Sequence, residues 1–251
     1  MSDRHRRLML LGVLPWLAAA SVEHRPSPEA VLQAADAPRH VLDEGVMRIR
    51  ATVRQDDGMP GIETILDVYV RGEDEALCVF RSGALEGRKI LMAGDRVWLI
   101  LPKTTHPIRV SPNQRLFGGA SIGDVARLKF ADEFTATLLD AAESVDGVAC
   151  LAVELKGRTR KSAYGSGTLW VGKEDGLPRR AVLSLPSGKE AKELRFVAYA
   201  EDHGRTVLRR LEIHHLLPSE RGMVTTLEFL GYDAETLPAG FFDPERAREL
   251  P

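Results

Sequence analysis

The chain has 251 residues, 44% of them hydrophobic and 28% charged, with a formal net charge of −2. That is an ordinary globular composition, with material for one core or two small ones. Without a basic excess it lacks the electrostatic footprint of a nucleic-acid-binding domain.

The first twenty residues follow a different pattern. "MSDRHRR" is basic, and "LMLLGVLPWLAAA" is an apolar run too short to span a bilayer comfortably. Ala18-Ala19-Ala20 ahead of Ser21 supplies the small residues of a signal-peptidase site. An uncleaved anchor or a buried helix is the alternative. Arg6-Arg7 raises twin-arginine export, but the flanking residues fit that signal poorly. No cysteine follows the apolar run, so this chain is not itself a lipoprotein. The expectation is a signal peptide at 1–20, one domain at 21–251 and delivery to the periplasm. Cys78 and Cys150 would there be free to pair, yet both sit in apolar strand patterns, where a buried free thiol is also common.

"SPEAVLQAADAPR" predicts a helix, with Ser27 as N-cap, Pro28 in the first helical position and Pro38 at the end. Val31, Leu32 and Ala35 give it a narrow apolar stripe. Strand patterns then dominate. "VMRIRATVR" alternates Met47, Ile49, Ala51 and Val53 with Arg48, Arg50, Thr52 and Arg54. "IETILDVYV" sets Ile62, Thr64, Leu66, Val68 and Val70 on one face. "EALCVFR", "RKILM" and "RVWLILP" follow, divided by the turn-like "SGALEG" and "AGD". Farther on, "EFTATLLDA" and "VACLAVEL" flank "VDG" as a hairpin. "GTLWVG", "RRAVLSL", "KELRFVAYA", "TVLRRLEIHHL" and "MVTTLEFLGYD" complete about a dozen strands joined by short turns. Few helices intervene, which favours an antiparallel meander over βαβ units.

"GGASIGD" (118–124) contains Gly119-Ala-Ser121-Ile-Gly123, the G-x-S-x-G of a nucleophile elbow. An elbow needs a parallel α/β sheet with a strand feeding the turn, and "SPNQRLFGG" is not such a strand. The stretch reads better as an arm loosened by glycines and followed by a short amphipathic helix over 121–130. Ile122, Val125, Leu128 and Phe130 share its apolar side, while Asp124 and Arg127 face water. Ser121 and Asp124 have the spacing of a capping box. Such a helix is either a fixed plug on a small core or a movable lid over a cavity. His214-His215 suggests a metal site, but strand neighbours point to opposite faces and cannot easily chelate one ion. No metal or other cofactor is expected. Asp56-Asp57 in "QDDGMPG" reads as a solvated turn.

"LMAGDRVWLILPKTTHPIRVSPNQRLFG" is similar to a strand-turn-strand of LolA-like proteins, the outer-membrane lipoprotein-sorting family. "GTLWVGKEDGLPRRAVL" resembles that family's second Trp strand and Leu-Pro turn. "VDGVACLAVELK", "SGKEAKELRF" and "LPAGFFDPERAREL" also fit in order, so the resemblance spans roughly residues 28–250. It implies a mainly β (α+β) fold: a single half-open antiparallel β-barrel with an N-terminal helix and a short helical lid. Its apolar concavity would hold acyl chains, with Ile49, Ala51, Val53, Leu66, Val68, Val70, Trp98, Ile100 and Trp170 as candidate lining. Ile122, Val125, Leu128 and Phe130 would form the lid. The function implied is a non-catalytic periplasmic carrier of lipid or lipoprotein acyl chains, passing them toward the outer membrane. Its partners would be an inner-membrane transporter and an outer-membrane acceptor. An RseB-like envelope sensor and a hydrolase using Ser121 are the alternatives.

Overall fold

The computed structural model describes residues 25–55, 61–111, 115–121, 124–125, 128–159 and 162–250; the expected signal peptide lies outside them. Helix α1 (Pro28–Asp36) begins as its sequence predicts: Ser27 is the N-cap, its Oγ accepting from the Ala30 amide at 3.2 Å. Its buried side is Val31, Leu32 and Ala35.

Six strands follow: β1 (Glu44–Gln55), β2 (Ile62–Arg71), β3 (Glu75–Phe80), β4 (Lys89–Ala93), β5 (Arg96–Ile100) and β6 (Ile108–Val110). A small ribbon, β7 (Arg115–Phe117) and β8 (Ala120–Ser121), leads toward the four-residue helix α2 (Phe130–Glu133). The second run is β9 (Phe134–Val145), β10 (Val148–Gly157), β11 (Ser166–Gly172), β12 (Pro178–Ser184), β13 (Glu190–Asp202), β14 (Arg205–His215) and β15 (Met223–Ala234). Helix α3 (Pro244–Glu249) comes last.

Among the described residues these make a thirteen-stranded sheet in the order β6-β5-β4-β3-β2-β1-β15-β14-β13-β12-β11-β10-β9. Two meanders therefore meet where β15 returns to pair antiparallel with β1, and β6 and β9 remain as edges. The sheet is open and antiparallel, as the sequence predicts. Its tight hairpins carry their own signals. Asp146-Gly147 joins β9 to β10 with both residues at positive φ, the twist that suits adjacent right-twisted strands.

The two faces of the sheet bury different things. On β2, Leu66, Val68 and Val70 face the concave side, while Asp67 and Tyr69 face the convex side. Asp67 is buried there between Arg48 (2.8 Å) and Arg81 (2.7 Å). On β3 both faces are apolar: Ala76, Cys78 and Phe80 point inward, Leu77 and Val79 outward. The outward residues are covered by the chain end, where Leu237, Phe242 and Ala247 pack on them.

Candidate functional site: the concave face and the segment seated in it

The concave side is filled rather than hollow. α1 lies in it with Ala120, Val125, Leu128, Phe130 and Phe134. Val125, Leu128, Phe130 and Phe134 are buried against the inward residues of both meanders. The Phe130 ring sits 6.3 Å from Phe134 and 6.4 Å from Phe196 on β13. Beside them is a cleft of about 120 Å³, bordered by Arg39, Met47, Val70, Val125, Lys129 and Phe229 among others. Ligand pockets begin at about 300 Å³, so this cleft is too small for a long acyl chain while the segment is seated.

Polar contacts fix the segment at both ends. At the first, the Gly118 carbonyl accepts from Thr225 Oγ1 at 2.8 Å, and Thr225 also meets His215 Nε2 at 3.1 Å. Gly118 and Gly119 adopt φ of 52° and 83°. A Cβ on Gly119 would lie 2.7 Å from the His215 ring, and one on Gly118 would lie 2.0 Å from Val53. The glycines that read as hinges in the sequence instead allow close seating.

Ser121 and Asp124 form the reciprocal contacts of a capping box. The Ser121 amide donates to Asp124 Oδ2 at 2.7 Å, and the Asp124 amide donates to Ser121 Oγ at 3.3 Å. The Asp124 side chain is buried, contrary to its expected place in water. It is ion-paired with Lys192 of β13 and accepts from the Tyr164 hydroxyl at 2.7 Å. Burial pushes this carboxyl up, but Lys192, Ser121 and Tyr164 together hold it below the usual carboxylate range. The Tyr164 phenol is raised by its own burial and by Asp124, so it stays a proton donor.

At the second end, residues just after α1 act as a clamp. Arg39 is buried and donates to the carbonyls of Leu128 (3.1 Å) and Asp124 (3.2 Å). His40 Nε2 lies 3.2 Å from the Leu128 carbonyl, and burial with the nearby Arg39 lowers its pKa to about 3. It is therefore a neutral donor. Asp36 accepts from the amides of Phe130 and Ala131, each at 2.9 Å, capping α2 from outside. Burial raises Asp36 to about 6, although those two amides and Arg39 oppose the rise.

A family model described as "-like: Uncharacterized protein" matches residues 72–248. A crystal structure of a LolA superfamily protein from Nitrosomonas europaea is 26% identical, covering 88% of this chain and 100% of that one, with a TM-score of 0.78. The chain belongs to the family of the model that matches residues 72–248, and its fold is LolA-like. A DUF1329 family protein from Desulfovibrio piger (21% identity, 87% and 98% covered, TM-score 0.72) shares the fold. So does a domain from Vibrio parahaemolyticus described as an outer membrane lipoprotein-sorting protein (15%, 88% and 98%, 0.72). No curated protein matches.

In this LolA-like half-barrel, Ile49, Ala51, Leu66, Val68 and Val70 lie on the concave face, buried. Val53 lies at its end, against Gly118. Trp98, Ile100 and Trp170 do not join them. Trp98 pairs with Leu91 and, with Ile100, belongs to the convex cluster under the chain end. Trp170 faces outward between Leu169 and Val171, bonded to Glu143 and 4.8 Å from the Arg180 guanidinium. The period of two decides this: the concave residues of β5 are Val97 and Leu99.

Of the four lid residues, Val125, Leu128 and Phe130 are seated, and Ile122 lies outside the described residues, as do Asp56, Asp57 and Arg127. Within the stretch expected as a helix over 121–130, Asp124 and Val125 are helical, Lys129 is extended, and α2 starts at Phe130. Cys78 and Cys150 are free and buried, on strands β3 and β10 that stand eight places apart in the sheet. His215 faces the concave end, 3.6 Å from Glu220, while His214 faces Glu212 at 3.5 Å. Ser121 sits in an antiparallel ribbon, its Oγ donating to Asp124 Oδ2 at 2.8 Å, without the parallel strand an elbow requires.

Asp36, Arg39, His40, Tyr164 and Lys192 are site residues that the sequence reading missed. One local signal was available. Asp36 ends a helix, where the macrodipole disfavours an acid, and such a broken rule points to a second task.

Proposed function

We propose that this LolA-like protein is a non-catalytic periplasmic carrier of lipid or lipoprotein acyl chains. The chains enter the concave face by displacing the segment that carries Val125, Leu128 and Phe130, and are passed toward the outer membrane. An inner-membrane transporter and an outer-membrane acceptor would be its partners, and residues 1–20 its export signal. The observation that carries the reading is the pairing of an apolar concave face with an apolar segment fixed by separable polar clamps.

The energies suit a carrier. Burying methylenes is worth ~0.8 kcal/mol each, so a long acyl chain gains on the order of 10 kcal/mol gross. Unseating three large apolar side chains costs roughly 1.5–3 kcal/mol apiece, which offsets much of that gain. A binder that kept it all would not release its cargo. Mass spectrometry of organic extracts, from protein purified out of its native periplasm, tests the reading. Acyl lipid or acylated peptide in stoichiometric amount is expected. Protein that extracts clean and fails to bind a fluorescent fatty-acid probe would overturn it.

A further inference from the structure

The acyl-carrier reading says nothing about the head of the cargo, and the inference that follows rests on that reading. When the segment leaves, it takes Asp124 with it. Arg39 and Asp36, three residues apart on one turn of chain, lose their segment contacts together and remain able to pair with each other. On its own strand Lys192 is flanked by Glu190, exposed at the start of β13, and by Glu193. Across the sheet it faces Leu183 and His215, and Glu193 beside it turns to the opposite face, toward Arg180 and Arg195. Glu220, the other buried carboxylate at this end, is set against His215 and lies near enough to Tyr164 to help raise its phenol. An ammonium stripped of its partner in a buried place is strongly unfavourable. The Tyr164 hydroxyl loses its acceptor at the same moment.

We propose that Lys192 Nζ and Tyr164 Oη form an anion subsite, held by the Asp124 carboxylate in the closed protein and by the anionic head of an amphiphilic lipid in the loaded one. The position suits a head group. Lys192 lies near the start of β13, at an end of the concavity, and the inward residues that follow it are Leu194 and Phe196. A head at Lys192 therefore sends its tail over an apolar row toward the place Phe130 vacates. Both oxyanion chemistries that match an ammonium and a phenol, a carboxylate and a phosphate monoester, fit the subsite.

Equilibrium binding to the full mature chain tests this with four probes: palmitate, 1-palmitoyl lysophosphatidate, hexadecanol and inorganic phosphate. Palmitate and lysophosphatidate should bind at least tenfold more tightly than hexadecanol, which carries the same chain without charge. The tighter of the two identifies the head. Lys192→Met should narrow the ratio to about twofold, and Lys192→Arg should keep most of it. Because Lys192→Met leaves Asp124 buried and unpaired, Asp124→Asn/Lys192→Met is measured beside it, with circular dichroism as the check on folding. Equal binding of hexadecanol and palmitate by the wild type, or a preference that survives in the double variant, overturns the subsite but leaves the carrier. Phosphate bound in the absence of lipid would make it a free-anion site and also overturn the proposal. If no lipid binds at all, the carrier reading falls first and the subsite with it.

Discussion

One sheet carries two covers, and they differ in what their polar fixings join. On the convex face residues 237–250 are held by rings, with Tyr69 5.0 Å from Phe241 and Phe241 5.3 Å from Phe242, and by sheet side chains that grip their backbone: Arg71 donates to the Leu237 carbonyl at 2.6 Å and Glu44 accepts from the Leu237 amide at 2.8 Å. Lys89, a buried cation of β4, donates to the carbonyls of Ala247, Arg248 and Leu250 at the end of α3, where the helix dipole favours positive charge. On the concave face the cover is also apolar, but its fixings are matched groups on separate pieces of chain. Asp124 sits on the segment and Lys192 on the sheet; Asp36 and Arg39 follow from α1 and grip the segment's amides and carbonyls. The convex cover offers Arg71, Glu44 and Lys89 its backbone groups, whereas the concave cover brings a buried carboxylate of its own. A carboxylate on a cover can be replaced by a ligand that brings an anion of its own.

The largest expected effect comes from breaking each cover at an equally buried leucine. Leu128 on the concave side and Leu237 on the convex side are each 5% exposed. Leu128→Glu and Leu237→Glu should each cost about 3 kcal/mol or more, since an unpaired charge cannot remain buried. For a domain of this size that lowers Tm by roughly 6–12 °C. Saturating palmitate separates them. A closed segment reduces apparent affinity by the fraction of time the site is open, so ligand should raise the Tm of Leu128→Glu by more than that of the wild type. Leu237→Glu should gain only what the wild type gains. Equal gains in all three proteins would make the segment a fixed plug.

A second test sharpens the contrast through pH. Asp36 has its pKa raised from 3.8 to about 6 by burial. The folded state therefore binds a proton more tightly than the unfolded chain, so this group's contribution is full below 3.8 and is lost as pH rises through 6. Over that window it amounts to about 3 kcal/mol at most. His40, lowered by burial to about 3, pulls the other way as pH falls below 6.5. The informative quantity is therefore the difference between wild type and Asp36→Asn in urea unfolding at pH 4.5, 5.5, 6.5 and 7.5. Relative to the variant, the wild type should lose stability as pH rises. A flat difference would mean that Asp36 is not a desolvated acid holding α2.

The helix cap at Ser27 and most of the strands were legible because their signals are local: a capping residue followed by proline, and alternation at a period of two. The ordered Trp strands led to the right fold family. Which way Trp98, Ile100 and Trp170 face was not legible. β5 is apolar on both sides, and only the packing of residues 237–250 shows which side is turned from the concavity. The Ser121–Asp124 box was legible for the same local reason as the Ser27 cap. Its burial was not, because the cation that makes burial tolerable stands 68 residues away.

Close seating can be separated from backbone strain by two glycines. Gly94, in the β4–β5 turn, has φ of 58° and nothing within 4 Å of an added Cβ. Gly94→Ala should cost about 1–2 kcal/mol, the price of a left-handed alanine. Gly119→Ala, whose methyl would press on the His215 ring, should cost roughly 1–2 kcal/mol more. Chemical denaturation of the two variants measures the gap. If the costs are equal, His215 yields freely and the first end of the segment is loosely held.

The smallest effect is expected at the serine whose flanking glycines first suggest catalysis. Ser121 Oγ accepts from the Asp124 amide and donates to the Asp124 carboxylate. Ser121→Ala removes one member of a capping box, a loss worth about 1 kcal/mol. The Asp124 carboxylate keeps Lys192, Tyr164 and the Ser121 amide, so it remains satisfied in the folded protein. The closed state is then slightly weakened while the apolar lining of the concave face is untouched. Palmitate affinity should therefore hold or rise slightly, by less than about threefold. A hydrolytic serine predicts the opposite pattern, with stability nearly unchanged and an ester-cleaving activity abolished. Measuring p-nitrophenyl ester turnover and unfolding free energy on the same preparation sets one pattern against the other. Loss of turnover at unchanged stability would move the chemistry of this protein to Ser121 and out of the concave face.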